Sequence, residues 1–137
     1  MTFELVDVFT HEGRICAIVK VTVPELSKKD KYPLSDWHNG YVQVLPHNVD
    51  RYYGNFSINI TDRTFGWEKD DIYLLTQELT FGGDLDYYND DRILKGTYFF
   101  GFDTAHVWND EKPESKTYES VKEATIKLAA EFRVKNI

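Results

Sequence analysis

The chain reads as an α+β protein, a mostly antiparallel sheet of about five to six strands with one C-terminal amphipathic helix packed on one face. Three stretches predict this. In "RICAIVKVTV", residues 14–23, Ile15, Ala17, Val19, Val21 and Val23 fall on one side of an extended chain, and Cys16, Ile18, Lys20 and Thr22 fall on the other. β-Branched residues at that period of two mark a strand. The run "GTYFFGFDT", residues 96–104, is apolar rather than alternating, as a central strand buried on both faces would be. In "TYESVKEATIKLAAEFRVKN", Tyr118, Val121, Thr125, Leu128 and Phe132 recur at spacings of three and four, one stripe of a helix. A lone helix arriving after a series of strands buries that stripe against one side of the sheet.

The remaining elements follow in order. Residues 2–9 form a first strand, joined to the second across "HEGR" with Gly13 as the turn residue. Pro24 ends the second strand because it has no N–H for a ladder. "ELSKKDKYPLSDWHN" reads as a polar connection ending in an Asn39-Gly40 turn, and "GYVQVLP" as a short strand closed by Pro46. "NFSINIT" alternates, with Phe56, Ile58 and Ile60 on one face. "DIYLLTQELTFGG" is a longer strand that Gly82 and Gly83 stop, and "DLDYYNDDR" is an exposed acidic loop. Thr117 caps the helix, worth about 1 kcal/mol. Glu119 in its first turn and Arg133 and Lys135 in its last match the helix dipole. No repeat, low-complexity tract or linker intervenes, so one domain spans residues 1–137.

The totals restrict the function. With nine Tyr, nine Phe and three Trp, the chain carries more flat amphipathic groups than a core of this size needs, and some of them are expected to face a partner. A net charge of −7 opposes direct nucleic-acid binding, which requires a basic face, and opposes anionic membrane surfaces. It suits a basic partner, or solubility alone. Cys16 has no thiol to pair with, the first residues show no basic-then-apolar block, and no apolar run approaches a membrane span. A cytoplasmic protein is expected.

Few residues carry chemistry. The histidines His11, His38, His47 and His106 show neither HxH nor HxxxH spacing. "DLDYYNDD" opens like a calcium loop but has Asn89 where the glycine belongs and Lys95 where the last acid belongs. No metal and no cofactor is expected, although Asp103 with His106 would seed any mixed site. No GxSxG occurs, and Cys16 reads as a core residue. The one local arrangement is "DTAH", where Asp103 could orient His106 as catalytic pairs do, or could cap the turn beyond its strand. Asp103 and His106 are thus catalytic candidates, and no motif supports an enzyme. "FGGD" lacks the helix start that a phosphate loop needs. From residue 68 to residue 91, eight acids face one base and are interleaved with Tyr73, Tyr87 and Tyr88. Such a surface can imitate nucleic-acid charge and occupy a basic groove on another protein.

Three of these stretches, "GYVQVLP", "LTFGG" and "YFFGFDTAH", together with the closing helix, resemble a group of small uncharacterised phage and prophage proteins. Their pattern runs roughly GYVxVP, HGGLTF and GFDxAH. This chain departs from it with Gln77 and Glu78 before Leu79, and with Val107 to Asp110 where the group tends to have Gly-Asp. The resemblance implies a viral or mobile-element origin and no established reaction. It further implies an accessory factor, of an anti-CRISPR or other anti-defence type, that binds and inhibits a host or defence protein.

Two other functions remain open. One is a small-molecule site, nucleotide-like, that binds or hydrolyses its ligand; the other is a structural subunit of a viral assembly. The binding residues expected at the strand ends are Tyr41, Thr80, Gly82, Gly83, Gly101, Asp103, His106 and Trp108. The acidic interaction surface is expected from Asp70, Asp71, Asp84, Asp86, Tyr87, Tyr88, Asp90 and Asp91.

Overall fold

The alternating residues at the start of the chain form a hairpin. In a computed structural model that describes residues 1–24, 35–48, 64–65 and 77–137, β1 (Thr2–His11) pairs antiparallel with β2 (Arg14–Thr22). Glu12 and Gly13 join them with φ values of 53° and 75°, the two positive values that a two-residue turn of matching twist demands. β3 (Trp37–Gln43), β5 (Gln77–Asp84) and β6 (Tyr98–Phe102) complete an antiparallel sheet in the order β1-β2-β3-β6-β5. A two-residue strand, β4 (Thr64–Phe65), pairs with β5 at Gln77 and Glu78. β6 is central, and every one of its residues is buried, as its apolar run implies.

Two helices follow. The short α1 (Val107–Glu111) leads through a 3₁₀ turn into α2 (Tyr118–Lys135). The expected stripe is realised: Val121, Thr125, Leu128 and Phe132 are buried, with Ala124 and Ala129 beside them. They pack on Cys16 and Ile18 of β2, Val42 of β3, and Phe100 and Phe102 of β6. Thr117 Oγ1 accepts from the Ser120 N–H, capping the helix start. At its end Asn136 takes φ 57°, and the N–H groups of Asn136 and Ile137 donate to the carbonyls of Arg133 and Phe132; this closes the last turn. Tyr118 is half-buried and donates its hydroxyl to Asp7, tying α2 to β1. Burial pushes the Asp7 carboxyl up, but hydrogen bonds from Tyr118 and Lys122 outweigh it and hold the group below its ordinary range.

The opposite face of the sheet is also covered. Ala17, Val19, Tyr41 and Phe99 cluster there with Leu85 and Ile93. The segment expected as an exposed acidic loop therefore does more than stay in water. It makes a 3₁₀ turn at Asp86–Tyr88 and folds Leu85 back onto the sheet, joined there by Ile93 just beyond it.

Two expectations are corrected. Asn39 and Gly40 form no turn and lie inside β3. Glycine is needed at position 40 because a Cβ there would lie 2.2 Å from Thr125 Oγ1 and 2.6 Å from the Phe102 ring. Gly82 and Gly83 do not stop β5, which continues to Asp84 with both glycines paired to β6. The alternating stretch with Phe56, Ile58 and Ile60 lies outside the described residues. Among the described residues no helix is long and apolar enough to cross a membrane.

Two outcomes follow. Gly40→Ala forces its methyl into Thr125 and Phe102 and should cost about 1–3 kcal/mol, as overpacked cores do; the chemical denaturation midpoint reports it. Cys16 is fully buried and its thiol is pushed up to about 12 by that burial. Alkylation at pH 8 should leave Cys16 unmodified in the native protein and modify it only in denaturant.

Candidate functional site

Beyond Phe102 the chain leaves the sheet and its main chain needs new hydrogen-bond partners. Side chains supply them. Asp103 Oδ1 accepts from the Ala105 N–H at 3.0 Å, and Asp103 Oδ2 accepts from Thr80 Oγ1 at 3.0 Å. The register of β5 against β6 shifts between Leu79 and Phe81, which makes Thr80 the extra residue of a bulge. Thr104 is fully buried and donates to the His38 carbonyl at 2.8 Å. Asn109, also fully buried, accepts from the His106 N–H and donates to Ser115 Oγ. His106 Nε2 lies 3.2 Å from Asp103 Oδ1. The stretch is thus first a hydrogen-bonded turn into α1. Asp103 and His106 are not sealed, however, since their side chains stay 30% and 21% exposed.

Asp103 opens onto a groove of about 440 Å³ on the sheet face away from α2. Asn39 and Tyr41 from β3, Thr80 and Phe81 from β5, and Phe3 from β1 line it, with Phe102 and Asp103 at the end of β6. Asp84, Leu85, Tyr87 and Tyr88 close the remaining side. The floor is Tyr41, whose ring lies so near the Gly101 backbone that a Cβ there would sit 2.4 Å from Tyr41 Cδ1. Phe81 meets Tyr41 edge-on at 5.2 Å, and Tyr87 meets Tyr88 edge-on at 5.3 Å. Trp37 Nε1 donates to Asn39 Oδ1 at 2.9 Å, and Asn39 Nδ2 donates to the Tyr41 hydroxyl at 3.2 Å. That relay fixes the hydroxyl in place. Burial pushes the Tyr41 phenol up to about 12, outweighing the Asn39 hydrogen bond, with Tyr88 and Asp103 adding to the rise. Tyr41 is therefore neutral at any physiological pH.

Two sets of residues singled out separately in the sequence meet here. Tyr41, Thr80 and Asp103 come from the strand-end set, and Asp84, Tyr87 and Tyr88 from the acidic set. Gly101 contributes by letting Tyr41 lie flat. Gly82 and Gly83 sit in β5 without lining the groove, and His106 touches Asp103 without lining it. Asp86 is occupied in structure: both its oxygens accept from the Gly96 N–H. Asp90 is held down to about 2, chiefly by hydrogen bonds from Arg92, and Asp91 is exposed beside it. Asp70 and Asp71 lie outside the described residues, as does the side chain of Trp108.

Sequence reasoning missed Phe3, Asn39 and Phe81. Asn39 was legible only as half of an Asn-Gly pair, a turn signal that the strand overrides. Phe3 and Phe81 carried no signal beyond the general excess of aromatics.

Thr104, the hydroxyl nearest the Asp103–His106 contact in sequence, is buried and committed to His38, so it is no accessible nucleophile. Among the described residues no three His, Cys, Asp or Glu side chains are grouped to hold a metal ion. The described lining combines aromatic walls with two carboxylates, Asp84 and Asp103, and contains no basic residue.

Asp103→Ala strips acceptors from Ala105 and Thr80 and should cost about 1–2 kcal/mol in chemical denaturation. Asp103→Asn keeps an acceptor oxygen and should cost less; equal losses would show that the hydrogen bonds are not what matters there. No protein-family model matches the chain, and no curated protein or solved structure matches it either.

Proposed function

We propose that the protein acts by binding, as a phage or prophage accessory factor that occupies a basic surface of a host or anti-phage defence protein in the cell cytoplasm and inhibits it. The observation that carries this reading is the groove, where Tyr41, Tyr87 and Tyr88 stand beside Asp84 and Asp103 with no basic residue in the described lining. Tyrosine is the residue that binding surfaces favour, since it buries much area while ordering few torsions. The surrounding net charge of −7 draws a basic partner in from a distance.

A second reading, a small-ligand site, is favoured by size, because about 440 Å³ falls in the range of small-molecule pockets. The lining argues against a nucleotide-like ligand. Phosphates would face Asp84 and Asp103 with no cation among the described lining residues, and like charges at close range are mutually destabilising.

Affinity capture from host lysate tests the binding reading. At low salt the protein should retain one dominant partner, released progressively as ionic strength rises. Failure to retain any partner, or retention indifferent to salt, would overturn it.

A further inference from the structure

We propose that the groove is a receptor for an organic cation, namely the ammonium of a lysine or the guanidinium of an arginine carried on the partner protein. This rests on the binding reading above and names the group recognised.

Three features of the groove argue for it. Aromatic rings present a negative π face, and a cation set against Tyr or Phe gains most where water is displaced. Tyr41, Phe81 and Tyr88 supply half-buried or buried rings, and Tyr87, 86% exposed, stands at the mouth where an entering group meets it first. Two carboxylates face the same space, Asp84 from the end of β5 and Asp103 from the end of β6. Both are held in position: Asp103 accepts from the Ala105 N–H and the Thr80 hydroxyl with His106 Nε2 3.2 Å from its Oδ1, and Asp84 accepts from the Asp86 N–H and keeps lone pairs to spare. An apolar occupant would strip water from both carboxylates without replacing it, a penalty that a cation avoids.

The same features exclude other guests. A hard metal ion wants a shell of oxygens, whereas most of the wall is ring carbon, and no metal-holding group occurs among the described residues. A long basic side chain matches the shape better. Its methylene stem can lie along Phe81 and Leu85 while its head reaches the carboxylates. Arginine adds a planar fork that pairs with carboxylate and stacks on rings.

Titration of the full chain tests this, with nuclear magnetic resonance reading Asp84, Tyr87 and Tyr88. The probes are glycine-flanked pentapeptides centred on arginine, lysine or norleucine, and free butylammonium. Arginine and lysine peptides should shift those resonances in roughly the millimolar range, and the norleucine peptide should bind roughly fivefold or more weakly. Asp84→Asn and Tyr87→Leu, with folds checked by circular dichroism, should each weaken the cationic peptides by roughly fivefold to thirtyfold. Equal affinity for the norleucine peptide, no millimolar shift with any cationic probe, or variants that bind like the wild type would each overturn the proposal. Butylammonium binding as tightly as the lysine peptide would overturn the partner protein as the source of the cation. A captured partner retained equally by the Asp84→Asn/Tyr87→Leu double variant would sink this assignment and leave the binding reading standing.

Discussion

The structure turns on two glycines set diagonally across one pair of strands. Gly40 of β3 faces Phe102 of β6, and Tyr41 faces Gly101. Each glycine leaves its backbone bare for the aromatic ring opposite: Phe102 covers Gly40 on the helix side, and Tyr41 covers Gly101 on the groove side. Cross-strand aromatic cover of this kind compensates for the weakness of glycine in a strand. It also sets two depths at once. On one face α2 comes down until Thr125 nearly touches Gly40, and the Thr125 hydroxyl is satisfied within its own helix by the Val121 carbonyl at 2.7 Å. On the other face Tyr41 lies flat enough to floor a groove instead of filling it.

From that floor upward, the groove is built by pieces that also hold the fold. The bulge at Thr80 turns its hydroxyl to Asp103, so the carboxylate is fixed from β5 and from the Ala105 N–H of its own turn. The segment after β5 is pinned at Leu85 and Ile93 in the core, and Asp86 closes it by accepting from Gly96. Between those anchors Tyr87 is left almost wholly in solvent. An exposed aromatic on an anchored turn loses less entropy on binding than one on a free loop, and this makes the turn useful as a wall.

How much of this was legible depended on whether local pattern or distant contact decided each residue. The strand at residues 14–22, the central strand at residues 98–102 and the helix at residues 118–135 were readable because period two, an apolar run and period 3.6 each reflect an environment spread over many residues. Gly40 was not readable, because its reason is Thr125, far along the chain. Gly82 and Gly83 misled in the same way: the rule that glycine breaks strands is local, and pairing with Phe100 and Phe99 overrides it. The site was half readable. Asp103, Thr80 and Tyr41 could be chosen from strand ends and Tyr87 and Tyr88 from an acid-rich run, but only topology, which sets β3, β6 and β5 side by side, makes them neighbours.

Among the described acids, placement rather than number decides which of them reach the groove. Of the acidic residues in the segment after β5, Asp86 holds Gly96 and Asp90 holds Arg92. Among the described residues Asp84, the last residue of β5, reaches the groove, where Asp103, just beyond β6, joins it. The two scales of charge then do different work. The overall −7 acts over roughly a Debye length and would set how fast the proposed basic partner arrives. In the proposed complex Asp84 and Asp103, both at least partly exposed beside aromatic rings, would act within hydrogen-bond reach on the group that enters. Moving either carboxylate elsewhere on the surface would preserve the first effect and abolish the second, which is why position carries more of the functional argument than charge.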